Sequence, residues 1–162
     1  MNRLTLILTL AFCVLFAGFA QAQSETEPQP TWVPRTDGFG VAGMFNIPND
    51  EFGRRTDNGF GIHGVWVKPL IPLISLTGDV GFNHFPASEN GLDAVNVWEF
   101  TGGLRFEFGA FYMGGEAGYY TEIDEGSFVP SLGLRIGKFE VAGRWKAVGG
   151  SSWTGVRVTY FF

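Results

Sequence analysis

The chain has 162 residues, 16% of them aromatic, with 24 glycines, one cysteine and a formal charge of −5. That length allows one domain, and the acidic balance with no basic patch excludes a nucleic-acid-binding protein. The high aromatic and glycine content points away from an ordinary soluble domain and towards closely packed strands bordering an apolar phase.

The first 22 residues read as an export signal. Arg3 precedes an apolar run from Leu4 to Ala20, and Ala20-Gln21-Ala22 has the small-x-small pattern of a cleavage site. The run is short for a spanning helix. Cys13 lies inside it behind Leu10-Ala11-Phe12, a poor lipoprotein site, so the chain after Gln23 is expected to carry no disulfide, thiolate metal site or lipid anchor. Losing Arg3 takes Lys+Arg from 11 to 10 against 16 acids, a charge of −6. Residues 23–37, with Pro28, Pro30 and Pro34, have no period and read as a flexible periplasmic leader.

From Gly38 to Phe162 apolar residues recur at every second position in eight separate stretches, the mark of strands with two unlike faces. The first covers Gly38 to Ile47, and Asn49 to Asp57 is a charged loop. The second carries Phe60, Ile62, Gly64 and Trp66, and a short connection over Lys68–Pro72 leads to the third, Ile74 to Phe82. A loop over Pro86–Asp93 precedes the fourth, Trp98 to Phe106. A tight turn near Phe108-Gly109 leads to the fifth, Phe111 to Tyr119, and Thr121–Gly126 is an acidic loop. The sixth runs Phe128 to Ile136, Gly137-Lys138 is a hairpin signal, and the seventh runs Phe139 to Ala147. Gly149–Ser152 turns the chain into Val156–Phe162. Long and short connections alternate, which places the longer ones at one end of a sheet. Seven of the eight prolines are expected outside the strands; Pro130 is the exception, placed near the loop end of the sixth.

The two faces differ sharply. No in-phase position is charged, and many are bulky rings, among them Phe39, Phe60, Trp66, Trp98, Phe100, Phe128 and Trp145. The alternate positions hold many glycines and ten charges: Asp79, Glu99, Glu107, Glu116 and Glu140 against Arg105, Arg135, Arg144, Lys146 and Arg157. A soluble barrel would turn the apolar face inward, but an eight-stranded interior is only wide enough for side chains to fill, and so many rings would overfill it. The inverse arrangement, rings towards lipid and charges inside, fits. The expected fold is therefore all-β: an eight-stranded antiparallel up-and-down transmembrane β-barrel over residues 38–162, with the last strand closing against the first.

The cleavage pattern Ala20-Gln21-Ala22, the repeated alternation and the ending Val156-Arg157-Val158-Thr159-Tyr160-Phe161-Phe162 resemble the small eight-stranded outer-membrane β-barrel proteins of Gram-negative bacteria, the broad group with OmpA-like and OmpX-like barrels. The resemblance implies an outer-membrane address, contact with membrane lipid and lipopolysaccharide, and a monomer. It also implies that Val156, Val158, Tyr160 and Phe162 are read by the barrel-assembly machinery. No peptidoglycan-binding domain is expected after the barrel, so a cell-wall anchor role is not implied.

Buried charges need partners, so the ten interior charges read as a neutral salt-bridge network filling the lumen. The alternatives are a gate in a narrow pore for water or very small solutes, and a lipid A-modifying enzyme. For the latter His63 is the one inward histidine. A turn centred near Leu70 would set it opposite Thr77, diagonal to Ser75 and Asp79, while His84 falls on the lipid-facing phase. No His-x-Ser motif occurs. The loop acids Asp50, Glu51, Asp57, Glu89, Asp93, Glu122, Asp124 and Glu125 lack the spacing of a calcium loop and read as solvated tips. The expectation is a non-enzymatic envelope protein without cofactor or metal, in a structural or surface-interaction role.

Overall fold

Alternation along the chain becomes eight antiparallel strands in the computed structural model, which describes residues 37–89, 92–121 and 125–162. The expected signal peptide with its cleavage site, Cys13, almost all of the expected leader and the acids Glu122 and Asp124 lie outside the described residues. The strands are β1 (Gly38–Asn49), β2 (Gly59–Ile71), β3 (Ile74–Phe85), β4 (Val95–Phe108), β5 (Phe111–Tyr120), β6 (Glu125–Ile136), β7 (Phe139–Val148) and β8 (Ser151–Phe161). They follow one another in order around a closed barrel, and β1 pairs with β8 from Gly40↔Phe161 to Asn49↔Ser152. The last strand therefore has partners on both sides, and no edge is left to recruit another chain.

The polarity of the two faces follows the alternation. Side chains in phase with Phe39 point out and are open: Phe39 is 68% exposed, Ile62 71% and Phe128 64%. Residues between them point inward and are buried. Inward glycines let the narrow interior close. A Cβ on Gly81 would lie 2.2 Å from His63 Nδ1, and one on Gly155 2.0 Å from Met44 Cε. Outward Gly43 has nothing within 4 Å of such an atom.

Several boundaries differ from the sequence reading. Strand β8 begins at Ser151, because Gly149 and Gly150 (φ 53° and 80°) form a two-residue turn of the kind that suits a hairpin's twist. The fourth connection at the long-loop end is thus a tight turn. Strand β2 runs on through Pro69 to Ile71, with a register irregularity between them, and the chain turns at Pro72-Leu73. His63 consequently pairs with Gly81 rather than Thr77. Pro48, Pro69 and Pro130 all lie in strands, so Pro130 is not the single exception. Pro130 sits in mid-strand, paired with Gly115; on its β7 side the ladder skips from Phe128↔Ala147 to Ser131↔Arg144, where a missing N–H breaks nothing.

The first loop holds a short helix, α1 (Asp50–Arg55), with Asp50 and Glu51 in its first turn and Arg54 and Arg55 in its last, a charge order that suits the helix dipole. It lies at the long-loop end, and its buried residue is Phe52.

Candidate functional site: the charged lumen

Of the ten charges placed on the inner phase, eight are buried to within 3% of full coverage: Asp79, Glu99, Arg105, Glu116, Glu140, Arg144, Lys146 and Arg157. Glu107 and Arg135, near the short-turn end, are half-buried. Strand pairing brings the eight together because their strands send alternate side chains to one axis.

Arg144 is the hub. Its Nη1 donates to Asp79 Oδ2 at 2.9 Å and Glu99 Oε1 at 3.2 Å, while Nη2 donates to Glu116 Oε2. One β7 guanidinium thereby ties β3, β4 and β5 across the lumen. Arg157 donates to Asp79 Oδ2 at 2.5 Å and to Glu140 Oε1 at 3.4 Å. Arg105 donates to Glu140 Oε2 at 2.8 Å and Glu107 Oε1 at 2.8 Å. Lys146 Nζ donates to Glu99 Oε2. The pairs join into one column, running Glu107–Arg105–Glu140–Arg157–Asp79–Arg144–Glu99–Lys146, with Glu116 branching from Arg144. Arg135 stands apart. Its guanidinium carbon lies 3.9 Å from the centre of the Phe161 ring, and Nε donates to Gly137 O at 3.4 Å.

Neutral groups complete the column, and sequence reasoning missed them. Thr101 Oγ1 donates to Glu116 Oε2 at 2.6 Å, and Tyr112 OH to Glu140 Oε1 at 2.9 Å. Asn83 Nδ2 donates to Glu99 Oε2 at 2.8 Å, and its Oδ1 accepts from Asn46 Nδ2 at 2.7 Å. The available signal was their inward phase between outward rings. With carboxylates so multiply bonded, the desolvation of each charge is offset by several charge-assisted hydrogen bonds.

His63 lies at mid-column. Nδ1 is 2.7 Å from Asp79 Oδ1, and Nε2 is 3.2 Å from Asn83 Oδ1. A His–Asp pair exists, but the group beyond the ring is an amide oxygen already engaged by Asn46, not a hydroxyl. Ser75 is displaced by the corrected register, pairing with Pro69 and Arg105. His84 is exposed and meets Asn96 Oδ1 at 2.8 Å. His63, Asp79 and Glu99 also bring ligand atoms within 4.8 Å of one another, close enough for a metal ion. Arg144 Nη1 already bridges the two acids, however, so an added cation would meet a guanidinium.

Buried apolar residues form two clusters beside the column. At the long-loop end Phe52, Phe85, Tyr120 and Trp153 pack with Val97, Val129 and Val148. The Phe52 and Phe85 ring centres are 5.0 Å apart, each is 5.6 Å from that of Trp153, and Tyr120 stands edge-on to Trp153 at 5.7 Å. At the short-turn end Ala42, Val65, Val67 and Phe161 form the second cluster. The rings at the long-loop end were not foreseen, because Phe52, Phe85, Tyr120 and Trp153 fall outside the strand bounds read from the alternation.

No family model matches the chain, and no curated protein is significantly similar to it. Two solved structures are similar. "KdgM porin" is 12% identical, with 76% of this chain and 99% of that one covered and a TM-score of 0.38. "KdgM porin in complex with disordered oligogalacturonate" is 13% identical at the same coverage and TM-score.

Proposed function

We propose that the chain is an integral outer-membrane β-barrel whose filled, ion-paired interior makes it a structural or surface-presenting element of the cell envelope. The observation that carries this is the inversion of the barrel: charges within, large apolar side chains without. In water such an outer surface would be an aggregation hazard. In hydrocarbon it is the stable arrangement, and a closed barrel leaves no backbone group unpaired at its edge.

The filled lumen favours a non-conducting role over a pore. The column is continuous, eight of its nine charges are buried, and an apolar cluster drawn from six strands and α1 packs at the long-loop end. The Asn83 amide oxygen, 3.2 Å from His63 Nε2, weighs against the lipid A-modifying reading. Val156, Val158, Tyr160 and Phe162 are 39–71% exposed on the lipid side of the last strand, where the barrel-assembly machinery would read them. Lipopolysaccharide and membrane lipid are the proposed neighbours, and the monomer is the proposed state. Planar-bilayer recording of the refolded protein tests the reading: membranes bearing it should show no steady channel. A reproducible ohmic conductance would replace it with the narrow pore.

A further inference from the structure

The apolar cluster at the long-loop mouth includes one side chain from outside the strands. Helix α1 contributes one buried side chain, Phe52, which rests on Phe85 and Trp153 through ring contacts. Its other ties join it to neighbouring segments, those of Asp50 and Arg54 at the surface and that of Thr56 through a buried residue. Ser152 Oγ donates to Asp50 Oδ2 at 2.8 Å, and Ser88 Oγ to Arg54 O at 2.9 Å. Ser88 N donates to Arg55 O at 3.1 Å, Asp57 N to Pro86 O at 2.8 Å, and Thr56 forms an isolated bridge with Ala87. None of these touches the ion-pair column. The segment begins at Asp50 with φ 52°, a left-handed conformation that aspartate tolerates and few other residues do. Gly53 crosses close over β1, where an added Cβ would lie 2.9 Å from Pro48 O. Beneath Phe52, Trp153 Nε1 and Tyr120 OH are fully buried and have no hydrogen-bond partner among the described residues.

We infer that α1 is a lid, hinged at Asp50, that opens by breaking its contacts with the β3–β4 connection and bares Trp153 and Tyr120 while the barrel stays folded. The contrast in construction supports it. The strands are locked by pairing on both sides around the closed barrel and by a buried charge network. The lid is held by one buried ring, the bridge of Thr56 to Ala87 and a few hydrogen bonds, the sparse anchoring of a segment that opens locally. Opening would hydrate the two unpartnered polar atoms, which lowers its cost. The lid stands independently of the membrane address, since it concerns only the mouth of the barrel.

Hydrogen exchange of the Trp153 indole N–H, followed by NMR in micelles and assigned by its loss in W153F, tests the lid. Phe52→Ala should speed that exchange about tenfold or more, with strand amides unchanged, as for a local opening. A second variant, T56C/A87C in a Cys13→Ser background, joins the lid to the neighbouring connection. The two positions face each other across a bridge, at a Cα spacing suited to a disulfide. Oxidised, it should slow indole exchange below wild type, and reductant should restore it. Unchanged exchange in both variants overturns the lid. Should Phe52→Ala also loosen the strand amides, the disulfide decides: a redox effect confined to Trp153 supports the lid, and no effect overturns it.

Discussion

Replacing Arg144 by Met removes the hub of the lumen while keeping much of its bulk. Three carboxylates lose a donor, but unequally. Asp79 retains Arg157 at 2.5 Å, and Glu99 retains Lys146. Glu116 retains the Thr101 hydroxyl alone, because Arg144 is its one cation among the described residues. The dominant loss is therefore one buried carboxylate without a countercharge, and breaking such a pair costs about 3–5 kcal/mol. E116Q alone should cost less, about 1–3 kcal/mol, since the amide oxygen still accepts and Arg144 keeps two acids. In the double variant R144M/E116Q the orphaned charge is gone, so the two losses should be less than additive by about 0.5–3 kcal/mol. Urea unfolding of protein refolded in liposomes, followed by tryptophan fluorescence, measures all four corners of the cycle. A loss under about 1 kcal/mol in R144M, or strict additivity, would refute the hub, because charged groups in direct contact are expected to couple.

Gly81→Ala puts a methyl 2.2–2.7 Å from three atoms of the His63 ring and should cost about 1–3 kcal/mol or more, whereas outward Gly43→Ala should be nearly neutral in the same titration. Val80→Arg, on the outer face between Gly64 and Phe100, should cost about 2–4 kcal/mol in a bilayer if Val80 lies near the midplane. An unchanged liposome unfolding midpoint would argue that this face does not meet lipid. His63→Gln should leave the lipid A profile of expressing cells unchanged by mass spectrometry; a changed profile would bring back the enzyme reading.

The eight strands and their phase were legible because period-two alternation and the segregation of charge agree along the whole barrel. Partnership within the lumen was not. Arg144 meets Asp79, Glu99 and Glu116 across separations of 65, 45 and 28 residues, which no local pattern encodes. The β2–β3 register failed for a nameable reason. Pro69 reads as a turn residue, yet the strand absorbs it beside an irregularity and turns at Pro72-Leu73, moving His63 from Thr77 to Gly81. Trp153, Tyr120 and Phe85 escaped because the expected strands stop at Phe82 and Tyr119 and the last starts at Val156, whereas β3, β5 and β8 extend to include them. Helix α1, six residues long, is too short to show a period.

A closed barrel standing in the outer membrane should reveal itself in gel mobility of outer-membrane extracts before and after boiling. The protein should fractionate with outer membranes, and the unboiled form should resist denaturant and migrate apart from the boiled one. A protein recovered soluble from the periplasm, with one mobility under both treatments, would contradict it.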